Sequence, residues 1–592
     1  MKIFELDGEI LGTEVQNWQD TNWKSISLRL LRPFSWDAKD RGFEVVNIEL
    51  RGQAPVILIC GPYATADAAA LNDSVTNNLD FPAVGDGDGV LYKTIGSIAD
   101  VDDRFQDAAG WFTLAGEKID GKESCVALSL KKSNTQLIAL QIIDNKLSVS
   151  LVLPKQIYPL ESIVDFIDLP NMLIEQMDGG HHEASKFLKE LIISVMPERA
   201  RDYLSPVIAD TWGFGTNINQ DLINSVSISA GKLGAEIITV DKGWEKSVGD
   251  WVANDRFPGG LEDLSRLVKR RGVSFGLWAA IGNVNSDSDL IKIRPDWIAK
   301  WRGKAQVVSH RNFSLCMGHG PVIEYLKSQL DHLISNGMNW FLHDFETISR
   351  CDRDDHDHPL GLGEDWAVRG WYEVLRDLRQ KHPNVWVENC WNGGRVLDLQ
   401  MVSHHDSTIG DDWCKVRHNA VAKVGLGNFL PAHWCSSYMS DEEDLPLTSQ
   451  FAIYAVGGPW VLMGDIPNWT DEKMNLAKRV LSVYREWRPR FPQGSVVWAD
   501  LVGLPPSAGW KSDQDVIGIS LLCPDGAELM ACVIVNPSQK EIIWHPRFSG
   551  SVRIKDEFND KQWLIQNNSA HDGVALDSTS SQGYLFSAIP II

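Results

Sequence analysis

The chain is 592 residues long and carries a formal net charge of −23, from 79 acidic and 56 basic side chains. That length is too great for one hydrophobic core and calls for two or three domains. The acidic balance, with no Lys/Arg-rich run to offset it, excludes nucleic acid and anionic membranes as partners, and no apolar stretch reaches the ~18 residues a membrane span needs.

At the start, Met1-Lys2-Ile3-Phe4-Glu5-Leu6-Asp7 puts acids where a signal peptide needs an apolar core, so a cytoplasmic location is expected. The nine cysteines are scattered and form no C-x-x-C pair, which predicts reduced thiols rather than a disulfide framework. Up to about Pro170 short apolar or alternating runs, such as Val56–Cys60, Cys125–Leu130 and Leu147–Val152, are separated by Gly, Asp and Asn turns. This is the pattern of a β-sandwich. A helical bridge containing His181–Leu188 follows.

Strands then alternate with helices. The predicted strands are Pro206–Phe214, Glu236–Lys242, Ser274–Ala280, Trp340–Phe345, Val385–Asn389, one within Met401–Asp411, Asn428–Trp434 and Trp460–Asp465. Helical periodicity marks Leu261–Val268 and Trp371–Leu378 between them. Eight such units match a (β/α)8 barrel, and no G-x-G-x-x-G follows the first strand to favour a doubly wound sheet. From Gln493 short strands return, as in Asp515–Leu522 and Leu529–Val535. The expected fold is α/β, a central TIM barrel over 196–492 between an N-terminal β-sandwich with its bridge, 1–195, and a small C-terminal β domain, 493–592.

Barrel chemistry sits at the C-terminal ends of the strands. Those ends carry Asp210-Thr211-Trp212, Asp241-Lys242-Gly243-Trp244, Trp278, His343-Asp344-Phe345-Glu346, Glu388-Asn389-Cys390-Trp391, Asp411-Asp412-Trp413 and His433-Trp434. Acids interleaved with aromatics suit a carbohydrate substrate: carboxylates accept hydroxyl hydrogen bonds and indoles cover apolar sugar faces. The 24 tryptophans, roughly three times an average share, agree with this, although tryptophan also fills cores. Paired carboxylates are also what glycoside cleavage requires.

The segment from about Trp212 to Phe491 resembles the α-galactosidase clan, glycoside hydrolase families 27 and 36, and is closer to family 36. The resemblance rests on ordered motifs: Asp241-Lys242-Gly243-Trp244, Gly249-Asp250-Trp251, Arg256–Leu261, Phe275-Gly276-Leu277-Trp278, Asn283–Leu290, Pro295-Asp296-Trp297, Glu388-Asn389-Cys390, Gly393-Gly394-Arg395 and Pro431-Ala432-His433. It implies a retaining α-glycosidase with Asp344 as nucleophile. The acid/base is expected at Asp412, fourteen residues beyond Asp398, with Asp411 and then Asp406 as alternatives. Trp212, Asp241, Trp278, Cys390, Gly394 and Arg311 match sugar-contacting positions. Lys242, His343, Glu346, Glu388 and Trp413 complete the expected substrate-binding set.

Three positions depart from the family pattern: Lys242 replaces the second aspartate of a sugar-binding pair, Leu342 a strand lysine, and Glu346 an asparagine. Reaction class is therefore expected to carry over, and plain galactose specificity is not. Transglycosylation of the raffinose-synthase type and a sugar-binding barrel without turnover are the alternative readings. Two further clusters, Cys351–His358 and His404-His405-Asp406, read as solvated loop or pocket rim rather than metal sites, because contiguous loop residues seldom converge on an ion. No metal or cofactor is expected, and homo-oligomerisation is left open.

Overall fold

The structure, a computed structural model, describes residues 172–307, 312–344, 351–359, 363–390, 396–410, 414–502, 515–537, 541–548, 550–566 and 573–591, with strands and short segments between 2 and 168. Eight parallel strands close into a barrel: β1 (Val207–Asp210), β2 (Ile237–Val240), β3 (Ser274–Ala279), β4 (Trp340–His343), β5 (Trp386–Asn389), β6 (Ser407–Ile409), β7 (Cys435–Met439) and β8 (Trp460–Leu462). Each pairs with its neighbour in sequence, and β8 returns to β1 through Val207 and Trp460. Helices Gln220–Lys232, Gly260–Lys269, Gly320–Ser335, Gly363–Lys381, Val416–Gly427 and Asp471–Trp487 lie between or after the strands. Such strands read as near-continuous apolar runs because helices cover the outer face while side chains fill the lumen.

Seven of the eight sequence-expected strands overlap those observed. The seventh does not: Asn428–Trp434 is a turn after a helix, and β7 begins only at Cys435. The apolar signal that suggested a strand there comes from Phe429, Leu430 and Trp434. They pack outside the barrel against Ala184, Leu188, Leu191 and Ile192. Those four residues share one face of the bridging helix His181–Val195, at i, i+4, i+7 and i+8. Lys189 on that helix reaches the carbonyls of Gly427 and Gly494 and the hydroxyl of Ser495, so the bridge is tied both to a barrel helix and to the start of the C-terminal region.

Among the described residues before the bridge, strands form one antiparallel sheet of five and another of eight. After the barrel, a six-stranded sheet and a three-stranded sheet are built from Ser495 onward. The central strands of the six-stranded sheet, Val516–Leu522 and Glu528–Ile534, are buried on both faces. Ile517, Ile519, Leu521, Leu529, Ala531 and Val533 join the barrel core, whereas Val516, Met530, Cys532 and Ile534 pack with Trp544 of the smaller sheet. Period-two alternation of two apolar sets explains why Leu529–Val535 shows no polar face in the sequence. No helix among the described residues is long and apolar enough to cross a membrane.

Close backbone approach fixes one helix against the loop that leads into the helix before it. A Cβ at Gly370, in Gly363–Lys381, would stand 1.8 Å from the carbonyl oxygen of Met317. Alanine is the better helix former by ~1 kcal/mol, yet Gly370→Ala is expected to lower the midpoint of thermal unfolding because backbone cannot move aside. An unchanged or raised midpoint would show that the helix slides without cost.

Candidate active site

The turn after β2 is built by its own motif. Gly243 adopts φ 113°, a conformation open to glycine and strained for other residues. Its carbonyl accepts from Arg256 Nη2 at 2.6 Å and Asn254 Nδ2 at 2.8 Å, and its N–H donates to Glu245. Asp250 accepts from the N–H groups of Asp289 and Leu290, capping a short helix. Much of the ordered motif series is therefore scaffolding for one turn and the loop beside it.

Behind the turn lie three indoles. Trp244 is fully buried and donates to the carbonyl of Trp278, and Trp251 packs between Trp244 and Trp278 at centroid distances of 6.2 and 6.1 Å. Trp278, thus fixed, donates Nε1–H to Asp344 Oδ2 at 3.0 Å. Asp344 is half-buried directly beyond β4. The ammonium of Lys242 lies 5.6 Å from the Trp278 ring centroid, within reach of a cation–π contact. Lys242 also borders a cleft of about 330 Å³ whose lining includes Lys246, Arg256, Glu245 and Asp287.

Carboxylates crowd the first two strand ends. Burial pushes Asp210 up to about 7, against the opposing hydrogen bond from the Trp212 N–H. Burial and then repulsion from Asp210 push Asp241 well above the ordinary carboxylate value, with Asp344 adding to the repulsion. Two acids so placed cannot both ionise cheaply, and the pair retains a proton near neutral pH. Asp210 Oδ2 is buried with no hydrogen-bond partner. The sequence set omitted Asp210 although it ends the first strand, which was the available signal. Trp212, 40% exposed, stands beside it. Cys390 lies one residue past the His343–Asn389 pair, where alternation returns it to the interior side it shares with Asp344.

Three expected site residues are elsewhere. His343 is one residue out of phase with Asp344, so its ring points outward; it is 0% exposed, packed on Trp371 and 2.9 Å from His405. Glu388 points into the lumen but is 1% exposed, accepting from Trp340 Nε1 and the Tyr438 hydroxyl. It is core, not pocket. Asp406 precedes β6 and so lies at the opposite end of the barrel from Asp344. It is buried between Arg199 and Arg379 and also accepts from the Val387 N–H, which removes it as an acid/base. The two clusters read as solvated are only partly so: Asp354, Asp355 and Asp357 are exposed, whereas Cys351, His356, His358, His405 and Asp406 are buried. Arg311, Glu346, Gly394, Asp411, Asp412 and Trp413 lie outside the described residues.

Residues 167–430 match the family model Melibiase. An α-galactosidase of Escherichia coli is 25% identical over 351 residues, covering 56% of this chain and 48% of that protein; the chain spans about half the length of the curated relatives it matches. The family 36 α-galactosidase AgaA of Geobacillus stearothermophilus has the same fold, with a TM-score of 0.76 at 17% identity over 98% of this chain and 81% of that one. A variant of AgaA in complex with stachyose aligns with a TM-score of 0.75 at 15% identity, over the same shares.

Two substitutions separate scaffold from site. Asp406→Asn leaves two guanidinium groups facing a neutral amide and is expected to cost ~3–5 kcal/mol of stability, read by denaturant unfolding, while turnover per folded molecule is retained. Loss of turnover at wild-type stability would return Asp406 to the site. Burial pushes Glu388 up to about 7. Its folded value exceeds its unfolded one, so the linked stability is complete below about pH 4.5 and is lost as pH rises through about 7. Glu388→Gln is expected to flatten the fall in unfolding midpoint between about pH 5 and 8, removing a term on the order of 3 kcal/mol. Parallel pH profiles for the two proteins would contradict a protonated Glu388.

Proposed function

We propose, from the premise that the chain belongs to the melibiase family of the α-galactosidase clan and is closer to family 36, that it is a retaining α-glycosidase. The observation that carries this reading is the grip of Trp278 Nε1–H on Asp344 Oδ2 at 3.0 Å, at the C-terminal end of β4. One carboxylate oxygen is held by the indole, and Asp344 lies close enough to Asp241 for their charges to repel.

In the proposed reaction Asp344 attacks the anomeric carbon and the leaving oxygen takes a proton from Asp412, with Asp411 as its alternative. The glycosyl-enzyme is then hydrolysed by water activated by the same acid/base, which restores the original anomeric configuration. Asp210 and Asp241 accept sugar hydroxyls, and because the pair retains a proton one of them also donates. Trp212 and Trp278 cover the apolar faces. Carbohydrate is the substrate class, in keeping with the stachyose held by the AgaA variant.

We read Lys242 as the residue that alters specificity. An ammonium stacked on Trp278, where the family carries an acid, favours a sugar bearing a negative group on its C4 to C6 side over a plain galactoside.

The experiment is a set of kcat/KM values on aryl and natural α-glycosides. Asp344→Ala is expected to lose on the order of 10⁴-fold or more on every substrate, while Asp412→Ala spares aryl glycosides, whose leaving groups need little protonation. Lys242→Asp is expected to raise kcat/KM on α-galactosides and lower it on the C6-acidic analogue. Retained turnover in Asp344→Ala would overturn the nucleophile assignment. Galactoside cleavage that Lys242→Asp leaves unchanged or worsens would overturn the specificity reading alone.

A further inference from the structure

Outside the pocket, four buried side chains converge from two loops. Cys316 follows β3 by way of a long loop and precedes the helix Gly320–Ser335; Cys351, His356 and His358 come from the loop between β4 and the helix Gly363–Lys381. One ligand-type atom from each lies within 4.8 Å of all the others. All four residues are buried, the least so being His356 at 8%. Sequence reasoning discounted Cys351–His358 because contiguous residues seldom surround an ion. The fourth member, Cys316, arrives from a different loop, and it closes the set.

The hydrogen bonds around the cluster fix the two imidazoles in opposite senses. His356 Nε2 is 2.8 Å from the carbonyl of Asp296, so it carries the proton and leaves Nδ1 bare toward Cys351. His358 Nδ1 is 3.3 Å from the carbonyl of Pro359, which leaves Nε2 bare. That Nε2 is buried with no hydrogen-bond partner. Carbonyl-bound histidines presenting their free nitrogens to one point are the outer support that metal-ligating imidazoles use. Distance agrees as well: thiolate and imidazole ligands at ~2.3 and ~2.0 Å in tetrahedral array stand ~3.5 Å apart, and Cys351 Sγ lies 3.5 Å from His356 Nδ1.

We infer that Cys316, Cys351, His356 and His358 form a structural zinc site that staples the loop after β3 to the loop after β4. Two thiolates balance the charge of a divalent ion, and an S₂N₂ tetrahedral set selects zinc among common metals. Four protein ligands leave no open position for water, so the ion is structural and not a second catalyst. Its consequence is positional. Cys351 lies seven residues beyond Asp344, and the same loop is held to the neighbouring one by the Asp352 N–H on the Lys300 carbonyl and the Arg302 N–H on Asp352. The inference is independent of the glycosidase reading.

The test starts from the full-length wild-type chain, purified with its thiols reduced and dialysed against metal-free buffer. Elemental analysis is expected to find one zinc per chain. Stripping with a strong chelator should lower the unfolding midpoint, and zinc, not magnesium, should restore it. Cobalt added to the stripped protein should give thiolate-to-metal charge-transfer bands and a tetrahedral ligand-field spectrum. Cys316→Ser and His358→Gln should each bind zinc at least 100-fold more weakly in competition with a chromogenic chelator. Wild-type protein that carries no zinc and takes up none when folded and reduced overturns the inference, as does a Cys316–Cys351 disulfide in the freshly isolated chain.

Discussion

The hydrogen bond from Trp278 to Asp344 is the contact around which the rest of the site is arranged. An indole can hold a carboxylate in place only if the indole itself is immobile. Trp278 is immobilised by Trp251 against its edge and by Trp244 donating to its carbonyl. Trp244 is in turn placed by the Gly243 turn, which Arg256 and Asn254 clamp. Motifs spread from Asp241 to Arg256 thus converge on the orientation of one carboxylate that follows a different strand.

The lumen below is polar at its centre and apolar around it. Glu388 sits among Trp340, Tyr438 and Ser436, with Asp210 and Asp241 above, and burial raises all three acids. Burial therefore favours the protonated form of each of the three. Around the barrel the same economy of burial recurs at larger scale: the six-stranded sheet closes one side of the barrel core with one face and its own small core with the other.

The eight-strand architecture and the place of Asp344 at a strand end were legible because alternation of apolar strands and amphipathic helices is a long-range signal. Asp344 needed only a strand and a direction. The errors share a cause, which is that a residue's partners are invisible in sequence. His343 and Asp344 are adjacent in the chain and face opposite sides of a strand, and Asp406 is a plausible acid until Arg199 and Arg379 are brought to it from elsewhere. The same blindness hid the cysteine–histidine cluster, since Cys316 stands 35 residues before Cys351 in the chain and beside it in the fold. The misplaced seventh strand differs: its apolar residues are real core, but of the packing between the bridging helix and the barrel's outside.

The central claim, that Asp344 works as a nucleophile through double displacement, is tested most directly by the stereochemistry of the first-formed product. Hydrolysis of an aryl α-glycoside followed by proton NMR, faster than the sugar mutarotates, should show the α-anomer first and the β-anomer only as equilibration proceeds. Appearance of the β-anomer first would mean single displacement by water and would contradict the account.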